Sequence, residues 1–96
     1  MPIADDGFRH KGLKELFVEG RSAKIQTGLQ KRAMQILDTL DAADTLTDCR
    51  YVRDFHELKG DRKGTYSMHV NGNWVITFKW DGKNFMNIDL EDFHSR

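Results

Sequence analysis

The sequence predicts an α+β fold: a helical hairpin packed on a twisted antiparallel β-sheet. Between residues 9 and 40 apolar side chains recur at helical spacing, and from residue 66 onward they alternate with polar ones at the period of a strand. Between the alternating runs stand Asn71-Gly72 and Asp81-Gly82, dipeptides suited to two-residue type I′ hairpin turns.

The elements follow in order. The segment before Phe8 can form at most a short edge strand, because Asp5, Asp6 and Gly7 disfavour one. From Arg9 to Glu19, Leu13, Leu16 and Phe17 share a helical face, and Gly20 suits the left-handed conformation of a C-terminal cap. Ser22 then offers an N-cap for a second helix. In that helix Leu29, Ala33, Ile36, Leu37 and Leu40 form one stripe, and Lys31, Arg32, Gln35, Asp38 and Asp41 take the other side. The short link Gly20-Arg21 predicts an antiparallel hairpin. Gly28, read as helical, costs about 1 kcal/mol against alanine.

Three strands follow. Tyr66, Met68 and Val70 alternate with Ser67 and His69; Trp74, Ile76, Phe78 and Trp80 alternate with Val75, Thr77 and Lys79; Met86, Ile88 and Leu90 stand opposite Phe85, Asn87 and Asp89. One sheet face is therefore apolar, and the helical hairpin is the available cover. The other face carries Ser67, His69, Thr77 and Lys79, with Val75 as its apolar exception.

Ninety-six residues make a single domain spanning 1–96. A lone cysteine, Cys49, fits a reducing compartment. Neither a signal-like N-terminus nor an apolar run of about 20 residues is present, so a cytoplasmic protein without a membrane partner is expected. No His/Cys/Asp spacing suits zinc and no Gly-rich phosphate loop precedes a helix, so no metal or cofactor is expected. Fifteen basic residues balance fifteen acidic ones, which excludes binding nucleic acid by bulk charge alone. Locally, Arg50, Arg53, Lys59, Arg62, Lys63 and Lys79 crowd into residues 50–79, and the expectation is a basic hollow.

Three stretches carry a resemblance. They are FRHKGLKELF at residues 8–17, FHELKGDRKGTYSMHVNGNWVITF at 55–78, and LEDFH at 90–94. In this order they resemble the HigB branch of the RelE/ParE toxins, also called plasmid maintenance system killer proteins. The resemblance implies a RelE-like fold and cleavage of mRNA on the translating 70S ribosome. It also implies a helix-turn-helix antitoxin of the HigA type as partner. The family's catalytic set falls on His56, Lys59 and His94. Its arginine falls on Val75, and the tyrosine commonly placed before the last histidine falls on Phe93.

Those residue types fit the chemistry. RNA carries its own nucleophile, the 2′-hydroxyl, so cleavage needs a proton acceptor, a proton donor for the leaving 5′-oxygen, and cations for the phosphorane. Histidine can serve as acid or base, and lysine as a fixed cation. His56 and His94 are expected to share acid–base duty. Lys59 is expected to clamp phosphate, or to act as a base if neighbouring cations lower its pKa. Arg50, Arg53, Arg62, Lys63 and Lys79 are expected to hold RNA backbone, with Arg62 or Lys79 as stand-ins for the arginine absent at 75. The competing reading is a binding-only toxin, catalytically silent or directed at DNA gyrase in the manner of ParE; Val75 favours it, and His56 with Lys59 opposes it. His10 and His69 lack motif support and read as structural or solvated, and Trp74 and Trp80 read as core rather than base-stacking platforms.

Overall fold

In the computed structural model, residues 2–4 and 6–93 are described. The chain runs α1 (Lys11–Glu19), α2 (Thr27–Ala42), β1 (His56–Glu57), β2 (Thr65–Asn71), β3 (Trp74–Trp80) and β4 (Phe85–Asp92). Short 3₁₀ turns stand at Leu46–Cys49 and Gly60–Arg62. The strands form one antiparallel sheet in the order β1-β2-β3-β4. The helices cover one face, with α2 against β2 and α1 against α2 and β4.

The apolar periodicities meet in this layer. Leu13 and Leu16 of α1 and Leu29, Ala33, Ile36, Leu37 and Leu40 of α2 join Met68, Val70, Ile76, Phe78, Phe85 and Ile88 in one buried core. Trp74 and Trp80 pack at its margin, as the strand period predicts. Cys49 closes the Leu46–Cys49 turn inside the core. Burial, with a smaller contribution from Asp48, pushes its thiol up to about 11.

Local chemistry shifts several predicted boundaries. His10 caps α1, its Nδ1 accepting from the Leu13 amide at 3.2 Å. Ser22 does not cap α2. Its hydroxyl accepts from Lys24 N and its carbonyl from Ile25 N, a local turn that buries Ile25 and delays the helix to Thr27. The Gln30 side chain straps this turn by donating to the Ser22 and Ile25 carbonyls. Gly28 therefore lies in the first turn of α2, where its amide has no intrahelical partner to lose.

The hairpins differ from the prediction as well. The β2–β3 turn is Gly72-Asn73, one residue later than expected, with positive φ (59°) at Gly72 alone, the pattern of a II′ rather than a I′ turn. The β3–β4 connection spans residues 81–84, and Asp81 Oδ1 accepts the Lys83 and Asn84 amides. Within β4 the period of two breaks at Asn87, which adopts φ 53° in a bulge against β3. Phe85 rather than Met86 thereby joins Ile88 in the core. Before α1, Ile3 and Phe8 form isolated parallel bridges to Phe85 and Ile88, so only fragments of an edge strand cover β4. Between them Gly7 is required, since a Cβ there would lie 2.8 Å from the Phe85 carbonyl oxygen.

The bulge yields a test. Asn87→Gly keeps the left-handed conformation at no steric cost and leaves stability unchanged or slightly raised. Asn87→Val destabilises by about 1–2 kcal/mol. Urea unfolding midpoints of the two variants check this, and equal stabilities contradict it.

Candidate functional site

The sheet face turned away from the helices carries the site. Strand pairing lays side chains out in rows: His56 beside Ser67 and Thr77, and His69 beside Val75 and Glu91. Asp54, His56, Glu57, Leu58, Lys59, Ser67, His69, Val75 and Phe93 line a hollow of about 360 Å³. His56 and Lys59 thus come together, Lys59 from the residue that opens the Gly60–Arg62 turn. The Phe93 amide donates to the Asn73 carbonyl at 2.9 Å, which ties the end of β4 to the β2–β3 turn. His94 lies outside the described residues.

Val75 lines this hollow and is only 8% exposed. An apolar side chain therefore stands where the resemblance places an arginine. His69, read from sequence as structural or solvated, lines the hollow too. Its Nε2 lies 2.8 Å from the Gly72 carbonyl. The signal for His69 was the strand period, which put it on the open face with Ser67.

Two other hollows adjoin. One, of about 570 Å³, is lined by Arg50, Tyr51, Asp54, Phe55, His56 and Glu57, and Tyr51 stands 98% exposed at its edge. The other holds Arg9, Arg62 and Lys79 together with Asp61, Asp89 and Glu91. Arg62 grips Glu91, the strand neighbour of Val75 on β4, with its guanidinium in a fork of 2.6 and 2.7 Å. Lys79 shares that third hollow, and Lys63 lines none of the three. The expected basic hollow is instead a mixed one, acids standing among the bases. Lys59 shares the first with Asp54 and Glu57, and three cations meet three carboxylates in the third, because β4 brings Asp89 and Glu91 and the Gly60–Arg62 turn brings Asp61 to the same surface as the bases.

Residues 51–54 have an unusual backbone. Tyr51, Arg53 and Asp54 all take positive φ (70°, 49° and 59°), and such conformations cost of order 1–3 kcal/mol each outside glycine. Arg53, expected on RNA, turns inward instead: Nε donates to the His69 carbonyl and Nη2 to the Val70 carbonyl, both at 2.9 Å. His69 N returns a bond to the Arg53 carbonyl at 2.7 Å. His56 Nδ1 lies 2.8 Å from the Asp54 carbonyl oxygen. Among the described residues, no group of three or more His, Cys, Asp or Glu side chains is arranged to hold a metal ion. Nor is any helix among them long and apolar enough to cross a membrane.

A small α+β domain with a histidine and a lysine converging on its open sheet face has the architecture of a RelE-like protein. The family model described as "RelE-like toxin of type II toxin-antitoxin system HigB" matches residues 6–94. The chain is 38% identical over 92 residues to an endoribonuclease HigB of Proteus vulgaris, with 91% of this chain and 96% of that protein covered. The chain belongs to the HigB family of RelE-like toxins of type II toxin–antitoxin systems.

The Arg62–Glu91 pair gives a pH-dependent test. The bond from Arg62, assisted by Thr77, holds the Glu91 carboxyl below the usual glutamate range. A depressed folded-state value means that this stability is present above the ordinary 4.5 and lost as pH falls through the lower value. The stability gap between the wild type and Arg62→Ala is therefore full at neutral pH and narrows on acidification. Urea midpoints near pH 7 and about pH 3 measure it; a gap independent of pH contradicts the assignment.

Proposed function

We propose that this protein is a ribosome-dependent mRNA endoribonuclease, the toxin of a type II pair restrained by a helix-turn-helix antitoxin of the HigA type and acting in the cytoplasm. The single observation behind this reading is that His56 and Lys59, 3 positions apart across β1, line one hollow with Phe93. The Proteus relative, named an endoribonuclease, supports it.

In this reading the scissile phosphate enters the hollow. A histidine accepts the proton of the 2′-hydroxyl. The 2′-oxygen bonds to phosphorus, the P–O5′ bond breaks, and the departing 5′-oxygen takes a proton from the second acid–base group. His56 is one of this pair and His94 is its proposed partner. Lys59 stands against the charge that gathers on the phosphorane oxygens. The nucleophile belongs to the RNA, so no metal is needed to generate it. Arg50, Lys63 and Lys79 are proposed contacts to the RNA backbone; Arg62 is proposed to join them only when it releases Glu91.

Val75 sets the rate. With the arginine absent, one transition-state cation is missing, a loss of roughly 10²–10³ in rate. The same residue favours a second reading, a toxin that binds its targets without cutting. Mapping mRNA 5′ ends on programmed 70S ribosomes separates the two. The nuclease reading predicts that His56→Ala and Lys59→Ala each slow cleavage by about 10² or more. It predicts that Val75→Arg accelerates cleavage at least about tenfold. Absence of cuts by the wild type, with ribosome binding intact, establishes the binding-only reading instead.

A further inference from the structure

We propose that Arg53 is a positioning residue for His56: it clamps residues 51–55 onto β2 so that the Asp54 carbonyl selects one tautomer of the His56 ring. This rests on the acid–base role given to His56 above. A carbonyl oxygen can only accept, so the contact from His56 Nδ1 to Asp54 O at 2.8 Å requires the proton on Nδ1. In the neutral ring the lone pair then resides on Nε2, the nitrogen available to take a proton from substrate.

That carbonyl is not where a relaxed chain would put it. Asp54 holds φ 59° next to Arg53 at φ 49°, conformations that an L-residue leaves unless its surroundings impose them. Three hydrogen bonds do so: Arg53 Nε to His69 O, Arg53 Nη2 to Val70 O, and His69 N to Arg53 O. The guanidinium fork is essential, because it engages two successive carbonyls in fixed geometry, whereas an ammonium is a single point. The same bonds tie His56 to the His69 end of the hollow, through a side chain that sequence reading had assigned to RNA.

The clamp and an RNA contact predict different behaviour for Arg53→Lys, which keeps the charge and loses the fork. The test combines long-range ¹H–¹⁵N spectra of the His56 ring with cleavage kinetics on programmed ribosomes, for the full-length wild type, Arg53→Lys and Arg53→Ala. In the wild type His56 is expected to show a protonated Nδ1 and an unprotonated Nε2 in the neutral ring. In Arg53→Lys the two ring signals are expected to move toward tautomer averaging while the amide spectrum of the sheet persists. There kcat falls about tenfold or more, as for the loss of other groups that orient a functional histidine, and KM and its salt dependence stay unchanged. Arg53→Ala behaves the same way if it folds; if it does not, the lysine variant and the wild-type ring decide. A wild-type His56 protonated on Nε2 overturns the proposal. So does an Arg53→Lys variant with wild-type tautomer and kcat, or one whose loss lies in KM and salt dependence, the mark of a phosphate contact. Should the wild type cut no RNA, the nuclease reading fails, and the ring spectra still test the clamp by themselves.

Discussion

Met68, Val70, Ile76 and Phe78 project from one side of β2 and β3 into the helical layer, and each is fully shielded from solvent. Burying them commits Ser67, His69, Val75 and Thr77 to the opposite side, because a strand has only two faces. A slip of one residue in β2 would carry His69 into the core, and one in β3 would carry Phe78 into water. The register that stabilises the fold is thus the same register that assembles the hollow. The bulge at Asn87 extends this control to β4. It adds one residue, so that Phe85 and Ile88 both face inward while Asp89 and Glu91 face the open side beside Thr77 and Val75.

The open face is shaped by how its charges are spent. Arg62 is committed to Glu91, Arg9 lies 3.9 Å from Asp89, and Arg53 is committed to backbone carbonyls. Among the described residues that line the central hollow, Lys59 is the cation, beside the rings of His56 and His69. A site of this kind depends on the placement of a few hydrogen-bonding groups more than on a broad positive field. Under the proposed function, guiding a polyanion falls to peripheral residues such as Arg50 and Lys63, where exposed charges act over about 10 Å in physiological salt.

Much of the fold was legible because burial imposes strong periods. The α2 stripe from Leu29 to Leu40 and the alternation in β2 and β3 needed no tertiary information. What escaped was set by hydrogen bonds too local or too distant for a period to report. The hydroxyl and carbonyl of Ser22 redirect the chain before α2, and the carboxylate of Asp81 organises a four-residue loop where a two-residue turn was expected. At the site, His56 and Lys59 were legible from a motif, and Val75 stood out as an apolar residue on a polar face. The inward hydrogen bonds of Arg53 were not legible because its partners, the His69 and Val70 carbonyls, lie 16 and 17 residues away. His69 was passed over because no motif names it, although its strand position had already placed it.

The most direct measurement is the structure of the toxin on a programmed 70S ribosome, with an mRNA whose 2′-hydroxyls are methylated to prevent cleavage. The target phosphate is expected between His56 and Lys59, against Val75. An mRNA path confined to the helical face, or to the surface beside Arg50 and Tyr51 with the hollow empty, contradicts it.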